Sequence, residues 1–248
     1  MLARTLLLVA LAAATPRIAI VIDDIGYRHK DDNRVLGLPT AIAVAVIPDS
    51  PNGAAMAARA ADQAREVLLH LPMQALNPRT NRALLEPLAL RASDSEPEIH
   101  AVLARALAAV PQAVGVSNHM GSQMTQQPES MRSLMRGLAA RPGLYFLDSY
   151  TTAASVALQA ARQAQVPATR RDVFLDHDPR PEAVALAIER LLRLAERDGS
   201  AVAIGHPLPD TLTQLEALLP RLEARGIELV APSALLEPPA VTADASTN

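Results

Sequence analysis

No cysteine and no tryptophan occur in the 248 residues. The lack of cysteine excludes disulfide frameworks, thiolate zinc sites and cysteine nucleophiles, and it leaves every redox compartment open. Three Tyr and two Phe, 2% of the chain, are too few for nucleic-acid recognition by base stacking or for a long sugar-stacking platform. A net charge of −3 and a pI near 6.1 lack the basic footprint of a DNA or RNA partner, and Lys30 is the only lysine. No nucleic-acid partner is expected, and no partner protein is evident. Only ten glycines are present, with no Gly-rich phosphate loop and no G-x-S-x-G elbow. What is abundant is apolar: 50% of the residues, enough at this length to fill the core of one large domain.

Residues 1–14, MLARTLLLVALAAA, have the proportions of a secretory signal peptide or N-terminal anchor. One Arg precedes an apolar run that ends in small residues, and the run is too short to span a membrane as a mature helix. This predicts export. A domain over 15–236 follows, and the Pro-rich, polar stretch 237–248 is expected to be disordered.

Short apolar runs at 18–22, 42–47, 67–69, 114–116, 144–147, 173–175, 201–204 and 228–230 are rich in Val, Ile and Leu. They read as parallel strands buried on both faces. Helical periods fall between them at 53–64, 97–109, 128–140, 153–165, 181–197 and 211–225, several opening with Pro near the first turn. Gly226 reads as a left-handed cap. Repeated βα units predict a parallel sheet, closed as a barrel or doubly wound. The stretch 71–93, with Pro72, Pro78 and Pro87, breaks the rhythm and reads as a lid or groove wall.

The strands deliver acids and histidines to their C-terminal ends: Asp23-Asp24, Asp49, His70, Asn118-His119, Asp148-Ser149, Asp176-His177 and His206. In a closed barrel these ends ring one mouth, whereas in an open sheet they spread along an edge. Each alone reads as well as a helix cap or turn former. Together, neutral imidazoles and a carboxylate suit Zn²⁺ or another divalent transition metal. A second carboxylate would accept a proton from water, and a histidine opposite would protonate a leaving group. The pair Asp23-Asp24 fits that division, with strand alternation turning one side chain to the metal and the other beside it. A capping pair is the alternative. His29 and His100 read as solvated surface residues.

IAIVIDDIGY at 18–27, LLHLPM at 68–73, GVSNHMGSQMT at 115–125, FLDSYTT at 146–152, DVFLDHD at 172–178 and AIGHP at 203–207 occur in this order. Over roughly 17–236 the chain resembles the divergent polysaccharide deacetylase family, exported bacterial relatives of metal-dependent carbohydrate deacetylases. The resemblance implies a distorted parallel (β/α) barrel of about seven units and hydrolysis of acetyl groups on an envelope carbohydrate, in the periplasm. It implies Asp23 as general base, Asp24 and His119 as metal ligands, and His206 as general acid. The parent family places a second histidine ligand four residues after the first, but Gln123 stands there, so His70 is taken as its replacement. Asp148 or Asp176 would orient catalytic groups, and with Ser122 they would line the cup. The parent R-x-P-[YF] segment has no match at the expected place. A barrel that binds glycan without turnover is the rival reading, and a phosphodiesterase is a weaker third, since phosphate chemistry wants more positive charge than the strand ends provide, with only Arg170 and Arg171 nearby.

Overall fold

The computed structural model describes residues 14–77 and 86–236. All but the last residue of the predicted signal segment, the whole predicted tail, and Pro78 in the long loop lie outside the described residues.

Among the described residues, nine parallel strands form one sheet. They are β1 (Arg17–Ile25), β2 (Ala43–Val46), β3 (Val67–Met73), β4 (Gly115–Met120), β5 (Tyr145–Asp148), β6 (Ala168–Arg170), β7 (Val173–Phe174), β8 (Ser200–Gly205) and β9 (Glu228–Leu229). The order is β6-β5-β4-β3-β2-β1-β8-β7, with β9 beside the start of β1. The outermost strands, β6 and β7, are consecutive in the chain, separated only by Arg171 and Asp172. At about 4.8 Å per strand an open sheet of this order would hold its edges roughly 30 Å apart, far beyond the reach of three peptide links at about 3.8 Å each. The sheet therefore curls into a barrel. At the seam Arg171 N–H donates to Asp148 O and Asp172 N–H to Val202 O, so successive residues bridge the two edges.

Seven α-helices among the described residues cover the outside: α1 (His29–Val35), α2 (Gly53–Asp62), α3 (Glu96–Ala109), α4 (Pro128–Ala139), α5 (Ala157–Gln163), α6 (Pro181–Asp198) and α7 (Pro209–Ala224). Ser95 and Glu98 form a reciprocal capping box at α3, and α4, α6 and α7 start on Pro. Gly226 takes the left-handed conformation expected of it, φ 63°.

Strand alternation sorts the core into two. On β1, Ile18, Ile20 and Ile22 face the helices. Ala19 and Val21 face inward, where they join Ala43, Ala45, Leu68, Tyr145, Leu147, Val202 and Ile204 in a plug that fills the barrel. The plug has small side chains on β1 and β2 and a Tyr on β5, and Gly115 leaves room for that ring: a Cβ there would meet Tyr145 Cζ at 2.8 Å.

Several expectations need adjustment. β1 runs three residues past its apolar run, and α1 and β6 were not anticipated. α5 begins at Ala157 rather than 153. The long loop is partly ordered sheet: Leu71–Met73 extends β3, and Leu90 bridges back to Met73. His100 is half-buried between α3 and α4, its Nε2 2.9 Å from Ser133 O, rather than solvated.

Candidate active site

The mouth is built by the same alternation that builds the plug. Above Ala19 and Val21 the next inward position is Asp23; above Leu68 it is His70; above Ser117, His119; above Leu147, Ser149; above Val202 and Ile204, His206. Where the apolar column of each strand stops, a polar side chain closes it. Asp24 would by this rule turn outward among the helices. Instead the β1–β2 register skips between Ile22 and Ile25, and Asp24 adopts φ 57°. This bulge returns its side chain to the mouth beside Asp23. The expectation that alternation alone separates the two carboxylates is thereby corrected: both reach His70 Nε2, Asp23 Oδ2 at 3.4 Å and Asp24 Oδ1 at 3.3 Å.

Asp24, His70 and His119 form one cluster whose ligand atoms lie within 4.8 Å of one another. Asp24 Oδ1 is 2.9 Å from His119 Nδ1, yet this buried oxygen accepts no aligned hydrogen bond. His70 Nδ1 meets Ser117 Oγ at 2.8 Å, so a proton on Nδ1 leaves the Nε2 lone pair facing Asp24. An oxygen with no donor aimed at it, between two imidazole nitrogens, is what a borderline transition metal requires. The residues present fit the ion that the sequence motifs imply. Burial acts to raise Asp24, but His119 and His70 outweigh it and hold the carboxyl well below the usual range. For Asp23, burial prevails over His70 and His206, and its pKa is raised. Asp23 Oδ1 is buried without a hydrogen-bond partner.

Opposite stands His206, its Nε2 3.7 Å from Asp24 Oδ2. Asp176 fixes it: Oδ1 lies 2.9 Å from His206 Nδ1, and Oδ2 accepts from the His206 backbone N–H at 2.7 Å and from Thr211 Oγ at 2.8 Å. Burial would lower His206, but Asp176 and Asp24 push it up to about 9.

Asp23, His70, His119 and His206 line a cleft of about 600 Å³. Ser122 lines it, with Oγ accepting from Leu76 N–H at 3.0 Å. Asp176 is buried behind His206. Asp148 is turned away, accepting from Tyr150 N–H and Ser155 Oγ and lining a neighbouring polar pocket. Asp49 is an exposed turn residue and does not line the cleft. Asn118 lines it and ties β4 to β5, accepting from Ser149 N–H at 2.9 Å and donating to Met120 O at 2.7 Å. The sequence did not mark Tyr150, Phe174 or Arg190 as cleft residues, and Arg171 carried only a charge signal. Three of the five aromatic side chains gather at this end: Tyr150 and Phe174 in the cleft and Tyr27 beside Asp24.

The model of the divergent polysaccharide deacetylase family matches residues 20–236. The chain is 43% identical over 231 residues to the uncharacterized protein YibQ of Escherichia coli K12, spanning 93% of this chain and 70% of that one. It is 36% identical over 226 residues to an uncharacterized protein of Haemophilus influenzae, spanning 91% and 79%. Among solved structures, the uncharacterized protein ATU2773 of Agrobacterium tumefaciens C58 superposes with a TM-score of 0.84 at 25% identity over 90% of both chains. A mutant of BA3943, described as a CE4 family pseudoenzyme with restored enzymatic activity, shares the fold at a TM-score of 0.55 and 14% identity, over 90% of this chain and 68% of that one.

Proposed function

Because this chain belongs to the divergent polysaccharide deacetylase family, we propose that it is a metal-dependent hydrolase that removes acetyl or similar acyl groups from an envelope carbohydrate. The observation that carries the reading is the Asp24–His70–His119 cluster, with His70 buried and the other two partly so, flanked by Asp23 and His206. The N-terminal segment 1–14 supports a periplasmic site of action.

Asp24 Oδ1, His70 Nε2 and His119 Nδ1 would hold Zn²⁺ or another divalent transition metal. When bound, such an ion supplies Lewis acidity toward an acyl carbonyl and lowers the pKa of water. Asp23, made more basic by burial, takes a proton at its unpartnered Oδ1 from the water that adds to the carbonyl. His206 carries its proton on Nε2 while Asp176 keeps the Nδ1–H, and it delivers that proton to the leaving nitrogen or oxygen. The products are the free acid and an amine or hydroxyl. Asp176 and Thr211 keep His206 in this orientation, as Ser117 does for His70.

The glycan-binding alternative drew on Gln123 at the missing ligand position. His70, 3.3 Å from Asp24 Oδ1, weighs against it. The test is acetate release from N-acetylated and O-acetylated oligosaccharides by zinc-loaded protein. Asp23→Asn is expected to lower turnover about 10²–10⁴-fold while leaving metal content unchanged. Undiminished turnover in Asp23→Asn contradicts the base assignment, and glycan affinity without acetate release from any substrate establishes the binding-only alternative.

A further inference from the structure

The cleft has two unlike walls. Asp23, His70 and His119 make one, and Arg171, Arg190 and His177 stand on the other. Arg171 leaves the β6–β7 seam half-buried. Its Nε donates to Ser149 O at 2.7 Å and its Nη2 to Tyr150 O at 2.8 Å, which leaves Nη1 without a hydrogen-bond partner among the described residues. Its guanidinium lies over the Phe174 ring, 5.0 Å from the centroid. Arg190 reaches the same cleft from α6. It is exposed and makes no hydrogen bond or ion pair among the described residues. By contrast, Arg221 on α7 and Arg225 just after it pair with Glu189, and Arg225 also pairs with Glu196.

Burial, and more weakly the charge of Arg190, act against the Arg171 proton, while Asp148, Asp23 and Asp172 act to hold it. Asp23, the one carboxylate among the lining residues, stands beside His70 rather than in an ion pair with either arginine. Arg190, with no carboxylate paired to it among the described residues, and the unpartnered Nη1 of Arg171 together match a ligand carrying anionic oxygens. Phe174 fixes where that ligand sits, for its ring is 5.3 Å from His206 and 6.1 Å from His177. The cationic wall is thus one ring away from the residue assigned to protonate the leaving group.

We propose that Arg171 and Arg190 bind an anionic substituent of the substrate, so that the acylated glycan is an acidic one, bearing a carboxylate or a phosphate on or next to the acylated sugar. This rests on the hydrolase reading of the same cleft and specifies its substrate class.

The experiment is calorimetric titration of zinc-loaded protein with three N-acetyl sugars: N-acetylglucosamine, N-acetylmuramic acid, which adds a carboxylate-bearing ether, and N-acetylglucosamine 6-phosphate. An acidic sugar is expected to bind about tenfold tighter than the neutral one, with the advantage shrinking in about 0.5 M salt. Arg190→Ala should remove that advantage and leave the neutral sugar's affinity unchanged, and Arg190→Lys should restore part of it. Arg190 is exposed, so these variants are expected to fold, which circular dichroism checks. Preference for one acidic sugar over the other identifies the carboxylate or the phosphate as the group bound. Equal affinity for all three overturns the proposal. So does an acidic preference that survives Arg190→Ala and disappears on chelation, since that belongs to the metal. Acidic-sugar binding through Arg190 with no acetate released removes the hydrolase reading alone. Acetate release indifferent to Arg190 and to substrate charge removes this subsite and leaves the hydrolase intact.

Discussion

Asp176 grips His206 through its backbone N–H and through Nδ1, and it takes a third hydrogen bond from Thr211. A buried imidazole ordinarily sheds its proton, but here Asp176 and Asp24 outweigh burial and push His206 up to about 9. In metal-free protein, NMR titration is expected to show His206 charged through neutral pH, and Asp176→Asn to bring its midpoint down by more than about one unit. The sign of the linked stability follows. The folded form holds this proton more tightly than the unfolded chain, whose value is near 6.5. The contribution is therefore complete below about pH 6.5 and is lost as pH rises through about 9. Urea unfolding should show the gap between wild type and Asp176→Asn narrowing from pH 6 to above 9; a gap that widens contradicts the assignment. At this scale the acids and histidines were legible, because strand ends are short, apolar runs are easy to see, and a polar residue after each is conspicuous. Arg190 was not, since an arginine on the polar face of a helix looks like any solvated one. Ser117 and Thr211 carried no signal either, because their role exists only across strands.

The bulge in β1 is the local feature on which the site depends. It needs the turn that follows, where Asp32 Oδ2 accepts from Gly26 N–H at 3.1 Å and from Arg28 N–H at 3.2 Å. Gly26 sits at φ 124°, and a Cβ there would lie 1.9 Å from Ser50 Oγ. Gly26→Ala is expected to cost roughly 2 kcal/mol or more in urea unfolding and to weaken metal binding by displacing Asp24. A second expectation concerns Arg65, buried at 3% exposure below the β2–β3 region. It donates to the carbonyls of Pro39, Ile42, Leu36 and Leu38, closing the turn after α1. Arg65→Met should destabilise by about 3 kcal/mol with metal stoichiometry intact, because nothing at the mouth touches it. The apolar runs placed eight of the nine strands, and the missed elements explain themselves. β6 is Ala-Thr-Arg, too short to show a period, and α1, HKDDNRV, has almost no apolar face. The bulge was illegible because it is a register shift between two strands.

A curled parallel sheet brings all its C-terminal ends to one rim, which is why residues from Asp23 to His206 meet in a single cleft. Composition and βα rhythm allowed an open sheet as well; what separates the two is the two-residue step from β6 to β7, where no sequence period exists. The Asp24–His70–His119 cluster joins β1, β3 and β4 across the rim, so an ion bound there would be linked to folding of the whole barrel. At about a thousandfold excess over Kd a ligand adds about 4 kcal/mol, and for a domain of this size Tm should rise on the order of 10 °C with zinc. A chelator should reverse the rise, and the double variant His70→Ala, His119→Ala should not show it. Metal content, measured by mass spectrometry on untagged protein purified without chelator, decides between a metal centre and a vestigial cup. About one equivalent of divalent transition metal in the wild type, lost in that double variant, is the expected result. Protein that takes up no metal even when zinc is supplied, or a double variant that binds as much as the wild type, would contradict it.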